Sequence, residues 1–231
     1  MKHAVTALCL TLCMIIPVQT ASAADTSAGV RLQESLKTLS RIMASPQTEI
    51  PPVLLQKATA MIIIPDMVKA SFFIGARYGK GVLMVRGDDG RWGNPVFVTL
   101  QGGSFGLQMG LQATDLVLVF RRGTVLDMKT RGNVILGADV SIVAGNLSLH
   151  MDENTGADLS TEIYSFSRSA GLTAGFALQG AHLRLDDAAT AGLYGKSSLT
   201  AQQVLAGRVD TVSTDILRFR EGFTRITGGT F

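Results

Sequence analysis

The apolar positions of this chain follow a helical repeat near both ends and shorter, strand-like runs between them. Four apolar residues recur on one stripe of residues 27–44: Leu32, Leu36, Leu39 and Met43. This spacing predicts an amphipathic helix, with Ser27 as its N-cap and Pro46 beyond its end. The narrow stripe favours packing on a protein core, and the Arg and Lys residues of the helix suit a membrane surface as well.

The middle of the chain has the texture of a β-sheet. Pro51 and Pro52 open a short predicted helix, and the apolar run at residues 60–64 predicts a short strand that ends at Pro65. Further strand-like runs are broken by Gly, Asp or Asn: SFFIGARYG, GVLMVRG, NPVFVTL, ATDLVLVF and VILGADVSIVAG. Two closing helices are predicted: LTAQQVLAG, with Thr200 as its cap, and Ser213 to Phe219. This order of elements predicts an α+β fold: a single domain with a curved, barrel-like antiparallel β-sheet flanked by N-terminal and C-terminal helices.

Glycine supports the predicted curvature. The chain has 25 Gly in 231 residues, which is about 11% against a usual value of roughly 7%. Many of them fall inside strand-like runs, where glycine marks bulges, bends or close backbone approach. A sheet that coils toward a barrel needs such positions.

Residues 1–23 have the pattern of a secretory signal peptide. Lys2 precedes an almost wholly apolar segment, and Ala21-Ser22-Ala23 matches a small-residue cleavage site. Cleavage before Ala24 would leave residues 24–231 as the mature domain. The protein is then expected in the periplasm or exported, and peripheral on a membrane.

Composition excludes several functional classes. Both cysteines, Cys9 and Cys13, lie in the signal segment, so neither a disulfide nor a thiolate ligand is expected in the mature chain. Removal of Lys2 leaves 20 basic residues against 18 acidic ones. This small excess is not the dense basic surface of a nucleic-acid binder, and no nucleic-acid partner is expected.

Residues 102–106 match the G-x-S-x-G pattern of a serine hydrolase, with Ser104 in the place of the nucleophile. A nucleophile elbow needs a strand before the serine and a helix after it. A strand-like run precedes Ser104, but Gly106 and Gly110 interrupt the residues that follow. The mature chain keeps two histidines, His150 and His182, in undistinguished surroundings. The pattern favours a structural serine, and no catalytic residue is assigned.

No metal or cofactor site is expected either. Two histidines that lie 32 positions apart give no zinc spacing, and the acidic residues of 151–159 lack the spacing of a calcium loop.

Asp115 and Asp139 lie in apolar strand contexts. A carboxylate there either serves acid–base chemistry or, more commonly, accepts backbone N–H groups at a bulge or turn.

Several motifs in order resemble the SYLF domain, a lipid-binding module of bacterial exported proteins and eukaryotic membrane-trafficking adaptors. They are the segment from FFIGARYGKG through GGSFGLQ to LVLVF, then LGADVSIVAG, then IYSFSRSAGLTAGFALQGA and YGKSSLTAQQVL. The resemblance runs from about Leu32 to Leu205. It implies phospholipid binding without enzymatic activity, and it implies that GGSFGLQ is part of the sheet.

The leading hypothesis is therefore a non-enzymatic phospholipid-binding protein of the bacterial periplasm or cell envelope. It would act at an anionic membrane surface through basic residues and the amphipathic N-terminal helix. The candidate lipid-binding residues are Arg31, Lys37, Arg41, Lys69, Arg77, Lys80 and Arg168. One alternative is an envelope protein–protein interaction module without lipid dependence, and a remote one is a serine hydrolase that uses Ser104.

Overall fold

The computed structural model of the chain describes residues 20–72, 74–105, 110–121, 129–139, 141–144, 162–168, 178–209 and 212–228. The elements within these ranges, in chain order, are α1 (Thr20–Met43), α2 (Pro52–Lys57), β1 (Ala60–Phe72), β2 (Ile74–Val85), β3 (Val96–Phe105), β4 (Gly110–Phe120), β5 (Asn133–Ile135), β6 (Ile142–Ala144), β7 (Ile163–Arg168), β8 (His182–Leu185), α3 (Asp187–Tyr194), α4 (Ala201–Leu205) and α5 (Thr214–Thr227).

One sheet organises the domain. Its eight described strands lie in the order β5-β8-β3-β2-β1-β4-β7-β6. All neighbouring pairs are antiparallel except β6 and β7, which pair in parallel. The predicted α+β fold is confirmed, with a curled, mainly antiparallel sheet and helices at both ends of the chain. The parallel pair at one edge is the departure from the prediction.

The sheet is buried on both faces along half of its central strands. On the face that we call the helical face, α1, α2 and α5 cover Met61 and Ile63 of β1. On the opposite face, Ile62 and Ile64 pack with residues of α4 and with Leu178. Successive strand residues point to opposite faces, so strands covered on both sides become continuous apolar runs. This is the reason for the uninterrupted run at residues 60–64.

Helix α1 lies across the helical face and buries its apolar stripe there. Leu32, Leu39 and Ile42 are almost fully buried, and Leu36 packs against Gly222 of α5. The predicted N-cap at Ser27 was wrong, because Ser27 lies inside the helix; the alanine-rich residues described before it are helical as well. Cleavage before Ala24 remains a prediction.

Strand β1 continues through Pro65, where the sequence predicted its end. The register against β4 shifts between Ile64 and Met67, so that β1 carries a bulge. Asp66 in this bulge has a φ of 44°. A bulge leaves a residue outside the hydrogen-bonded ladder, and proline is tolerated at such a place because it has no N–H to donate. The predicted short strand was therefore wrong in length.

Two glycines of β2 admit the bulged strand beside them. A Cβ on Gly79 would lie 2.5 Å from Cγ2 of Ile64, and one on Gly81 would collide with the carbonyl oxygen of Ile63. Both positions face the apolar side opposite the helices. Glycine is required here by close packing, as the glycine content of the strand-like runs predicted.

The predicted cap of α4 is confirmed, and Ser213, predicted as the first residue of a helix that ends at Phe219, instead caps α5, which runs to Thr227. Thr200 and Gln203 form a capping box at α4, and Ser213 accepts the N–H of Ile216 at α5. Helix α3 was not predicted. Its signals were present in the sequence: Asp186 caps the first turn, and Gly195 ends the helix in the left-handed conformation.

Candidate functional site

The four central strands continue past the bulge of β1 to one end of the sheet, which we call the outer end: residues 67–72 of β1, 74–80 of β2, 101–105 of β3 and 110–114 of β4. On the helical face of the outer end, Val68 pairs with Tyr78 across the strands, and their exposed fractions are 42% and 47%. Ala113 and Gln101 flank this pair in register and are exposed as well. The outer end therefore presents an uncovered, partly apolar row across four strands.

The terminal residues of these strands are also apolar. In the backbone register Phe72 is the partner of Ile74, and Ile74 is the partner of Phe105. Hairpin ends usually carry Gly, Asn, Asp or Pro, because these residues suit turn geometry and water. The three residues depart from this pattern in sequence.

Two cations face each other on the opposite face of the outer end. Lys69 and Arg77 are direct cross-strand partners, and Arg77 is only 5% exposed. Nη2 of Arg77 donates to the carbonyl oxygen of Gly103 at 2.7 Å, whereas its Nε and Nη1 are buried without a hydrogen-bond partner. Burial lowers the pKa of Arg77. The prediction took Arg77 as a surface cation; strand alternation places it inside instead.

This pair is electrostatically unusual. Like charges directly opposite each other in a sheet destabilise it. Within the part of the chain that the structure describes, no carboxylate bonds to Lys69 or to Arg77. A buried guanidinium without a counter-ion costs stability. An anion from outside the chain would remove both penalties.

The three cations of α1 have other partners. The guanidinium of Arg31 lies over the ring of Phe97, 4.4 Å from its centroid, and Lys37 pairs with Glu34 at 2.8 Å. Nε of Arg41 donates to Oδ2 of Asp115 at 2.9 Å. Because the apolar stripe of α1 packs in the core, any membrane contact by this helix has to be made by its polar side.

Asp115 joins α1 to the bulge of β1. Besides its ion pair with Arg41, the carboxylate accepts two hydrogen bonds, from the hydroxyl of Thr38 at 3.1 Å and from the backbone N–H of Asp66 at 3.3 Å. The sequence left two roles open for this aspartate. The structure favours the structural one, an acceptor of a backbone N–H at a bulge.

The remaining candidates are exposed. Lys80 lies two residues along β2 from Tyr78, and Arg168 at the end of β7 is the register partner of Asp115. By strand alternation both lie on the helical face. The structure thus divides the seven predicted cations between the two faces, and it brings Lys69 and Arg77 together.

The remaining sequence features are Ser104, the two histidines and Asp139. Ser104 lies in β3, and β4 begins at Gly110, so a strand follows where a nucleophile elbow needs a helix. His182 is exposed in β8, Asp139 accepts the N–H of Ile135, and His150 lies outside the described residues. Over the described ranges, no group of three potential ligands could hold a metal ion.

Sequence reasoning missed a second basic region. Arg86, Lys129 and Arg220 line one cavity at the far end of β2. They lie in three distant segments without a shared motif, so only the tertiary structure brings them together.

The described helices include none that is both long enough and apolar enough to span a bilayer. The molecule is an α+β domain in which helices pack on a single curled sheet. Residues 101–220 match the family model described as "Ysc84: Las17-binding protein actin regulator". The chain belongs to this Ysc84 family, which confirms the resemblance to SYLF domains.

Curated relatives are similar over most of this chain. SH3 domain-containing YSC84-like protein 1 of Xenopus laevis is 26% identical over 182 residues, 78% of this chain and 54% of that protein. LAS seventeen-binding protein 3 of Saccharomyces cerevisiae is 28% identical over 196 residues, 84% of this chain and 42% of that protein. An SH3 domain-containing protein of Schizosaccharomyces pombe is 33% identical over 166 residues, 71% of this chain and 38% of that protein.

The chain spans about half or less of the length of these relatives. No solved structure matches it.

Proposed function

We propose that this protein binds anionic phospholipid surfaces through the outer end of its sheet and catalyses no reaction. The observation that carries the proposal is the pairing of an uncovered apolar row, Val68 and Tyr78, with the unneutralised cations Lys69 and Arg77 on the same β1–β2 hairpin. Each cation close to an anionic leaflet contributes about 1 kcal/mol of binding free energy. The signal-type segment at residues 1–23 supports a site of action in the periplasm or cell envelope.

The two faces of the hairpin suit different parts of a lipid. Exposed apolar side chains gain free energy when they leave water for the acyl boundary, and Tyr is favoured where apolar and polar phases meet. Lys69 is partly exposed and can offer its ammonium group to a phosphate, and the buried charge of Arg77 beside it adds to the attraction. Lys80 and Arg168 add exposed positive charge on the helical face.

The test is co-sedimentation of the purified protein with anionic and zwitterionic vesicles at low and high salt. We expect binding to anionic vesicles that high salt weakens. The double variant Val68→Glu/Tyr78→Glu should lower the partition coefficient about tenfold, which corresponds to roughly 1.4 kcal/mol.

The matched control is Val53→Glu/Leu217→Glu. These residues lie on α2 and α5 and are each 44% exposed, so the control adds the same charge at equally exposed positions elsewhere. Equal losses in the two double variants would show a general charge effect and remove the outer end from the proposal.

A second candidate is a protein–protein interaction module of the cell envelope. It is favoured by the name of one yeast relative, LAS seventeen-binding protein 3. Under this candidate, the protein would not sediment with vesicles of either charge, and cross-linking would yield a stable protein partner.

A further inference from the structure

A second basic site lies at the end of β2 away from the outer end. β2 runs from Ile74 to Val85, and its 12 residues separate the two ends by about 35 Å at a rise of about 3.3 Å per residue. A cavity of about 340 Å³ opens there. Its lining includes Val85, Arg86, Lys129, Val204, Leu205 and Arg220.

The described lining of the cavity carries three positive charges. Arg86 follows β2, Lys129 precedes β5 and Arg220 belongs to α5. Among the residues that the structure describes, neither Asp nor Glu lines the cavity. Within the described part of the chain, no ion pair joins these three cations to a carboxylate. Their charge is therefore left for a ligand to neutralise.

Neutral groups hold the two guanidinium groups in place. Arg86 lies over the ring of Trp92, 4.4 Å from its centroid, and donates to the carbonyl oxygens of Gln56 and Leu55 in the last turn of α2. Arg220 donates to Oδ1 of Asn94 and to the carbonyl oxygen of Trp92, both at 3.3 Å. Carbonyls and a ring orient a guanidinium without cancelling its charge.

Arg86 also has an unused donor. Its Nε is buried without a hydrogen-bond partner, and burial lowers the pKa of this arginine. Lys129 is exposed at the rim and makes no ion pair among the described residues. The ammonium group of Lys129 is therefore accessible to an oxyanion, and charge-assisted hydrogen bonds of this kind are strong.

We propose that this cavity binds a small molecule or headgroup that carries a phosphate monoester. Three cations exceed the charge of a single carboxylate, whereas a phosphate monoester carries nearly two negative charges and three acceptor oxygens near neutral pH. The apolar lining at Val85, Val204 and Leu205 fits a neutral remainder of the ligand. A volume of about 340 Å³ admits a compact molecule.

This proposal is independent of the outer end, and one set of titrations tests it. Calorimetric titration of the intact protein would use glycerol 1-phosphate, inorganic phosphate and, as the neutral control, glycerol. We expect the phosphates to bind and glycerol not to bind. Lys129→Gln, at an exposed position that folding tolerates, should weaken binding severalfold, and Arg220→Gln about tenfold, since bonds to charged groups are strong.

Arg218→Gln is the matched control on the same helix. Its side chain is 75% exposed outside the cavity, and the variant changes the net charge by the same amount. Unchanged binding in Arg218→Gln together with weaker binding in Lys129→Gln supports the site. Equal weakening in all three variants, or no binding of either phosphate by the wild-type protein in solution or on vesicles, overturns it.

A vesicle arm separates the two sources of the phosphate. Vesicles with and without a lipid whose headgroup is a phosphate monoester would be compared for the wild type and for Lys129→Gln. If Lys129→Gln binds the monoester vesicles more weakly than the wild type does, and glycerol 1-phosphate does not bind, the ligand is a lipid headgroup. If glycerol 1-phosphate binds in solution, the ligand is a soluble molecule. Val68→Glu/Tyr78→Glu should leave the calorimetric result unchanged, so a failure of the membrane proposal is distinguishable from a failure of this one.

Discussion

The same four strands have two different ends. At the core end, residues 60–64 of β1 are buried on both faces, and every one of them is apolar. At the outer end, Val68 is exposed on one face, and its neighbour Lys69 shares the other face with Arg77. The bulge at Asp66, bound to Asp115, lies between the two ends.

The difference shows how one sheet combines stability with a surface that is not optimised for stability. At the core end, apolar side chains pack on both faces of the strands. The outer end keeps an unpaired buried cation and uncovered apolar side chains, features that cost stability and are typical of binding sites. The following predictions test whether this division is real.

The largest effect is expected at the core end. Gly81→Ala places a Cβ against the backbone of Ile63, which cannot move without disturbing β1. We expect a loss of about 3 kcal/mol in the free energy of unfolding, measured by urea denaturation. The control is Gly103→Ala at the outer end, where the nearest atom to the added Cβ is the carbonyl oxygen of Gly75 at 4.0 Å. A comparable loss in the control would mean that the outer end is packed as tightly as the core end.

Local signals made much of the fold predictable. Apolar runs located the strands, Thr200 and Ser213 marked two helix starts, and Pro52 opened α2. The continuation of β1 beyond Pro65 was not predictable, because it depends on Asp115, which lies far along the chain and accepts the N–H of Asp66. The parallel pairing of β6 with β7 likewise depends on chain topology and not on local pattern.

The candidate site was predictable in its residue types and not in its arrangement. The sequence showed that Lys69, Arg77 and Arg41 are cations. It did not show that Arg41 forms an ion pair with Asp115, which lies 74 positions further along the chain. Register placed Lys69 opposite Arg77. The cations at the distant cavity carried no sequence signal, because a cavity is a property of tertiary packing.

A smaller loss is expected at the boundary between the two ends. Asp115→Ala leaves the buried hydroxyl of Thr38 and the N–H of Asp66 without their acceptor. The ion pair with Arg41 adds little, since the Arg41 side chain is 37% exposed and water can replace its partner. We expect a loss of about 2 kcal/mol by urea denaturation. Asp88→Ala, in the exposed turn between β2 and β3, should change stability by less than about 0.5 kcal/mol. Equal stability of the two variants would mean that Asp115 does not stabilise the junction between the core end and the outer end.

The smallest effect, of opposite sign, is expected at the outer end itself. Arg77→Met removes a buried positive charge that makes one hydrogen bond among the described residues, to Gly103, and that faces Lys69 across the strands. The free energy of unfolding should therefore rise by about 1 kcal/mol while binding to anionic vesicles falls severalfold. Arg77→Lys is the control, because it keeps the charge and should restore part of the binding without the gain in stability. A protein that became less stable, with unchanged vesicle binding, would show that Arg77 serves the fold; a protein that gained stability and lost binding would show that the sheet tolerates this cation for the sake of an anionic ligand.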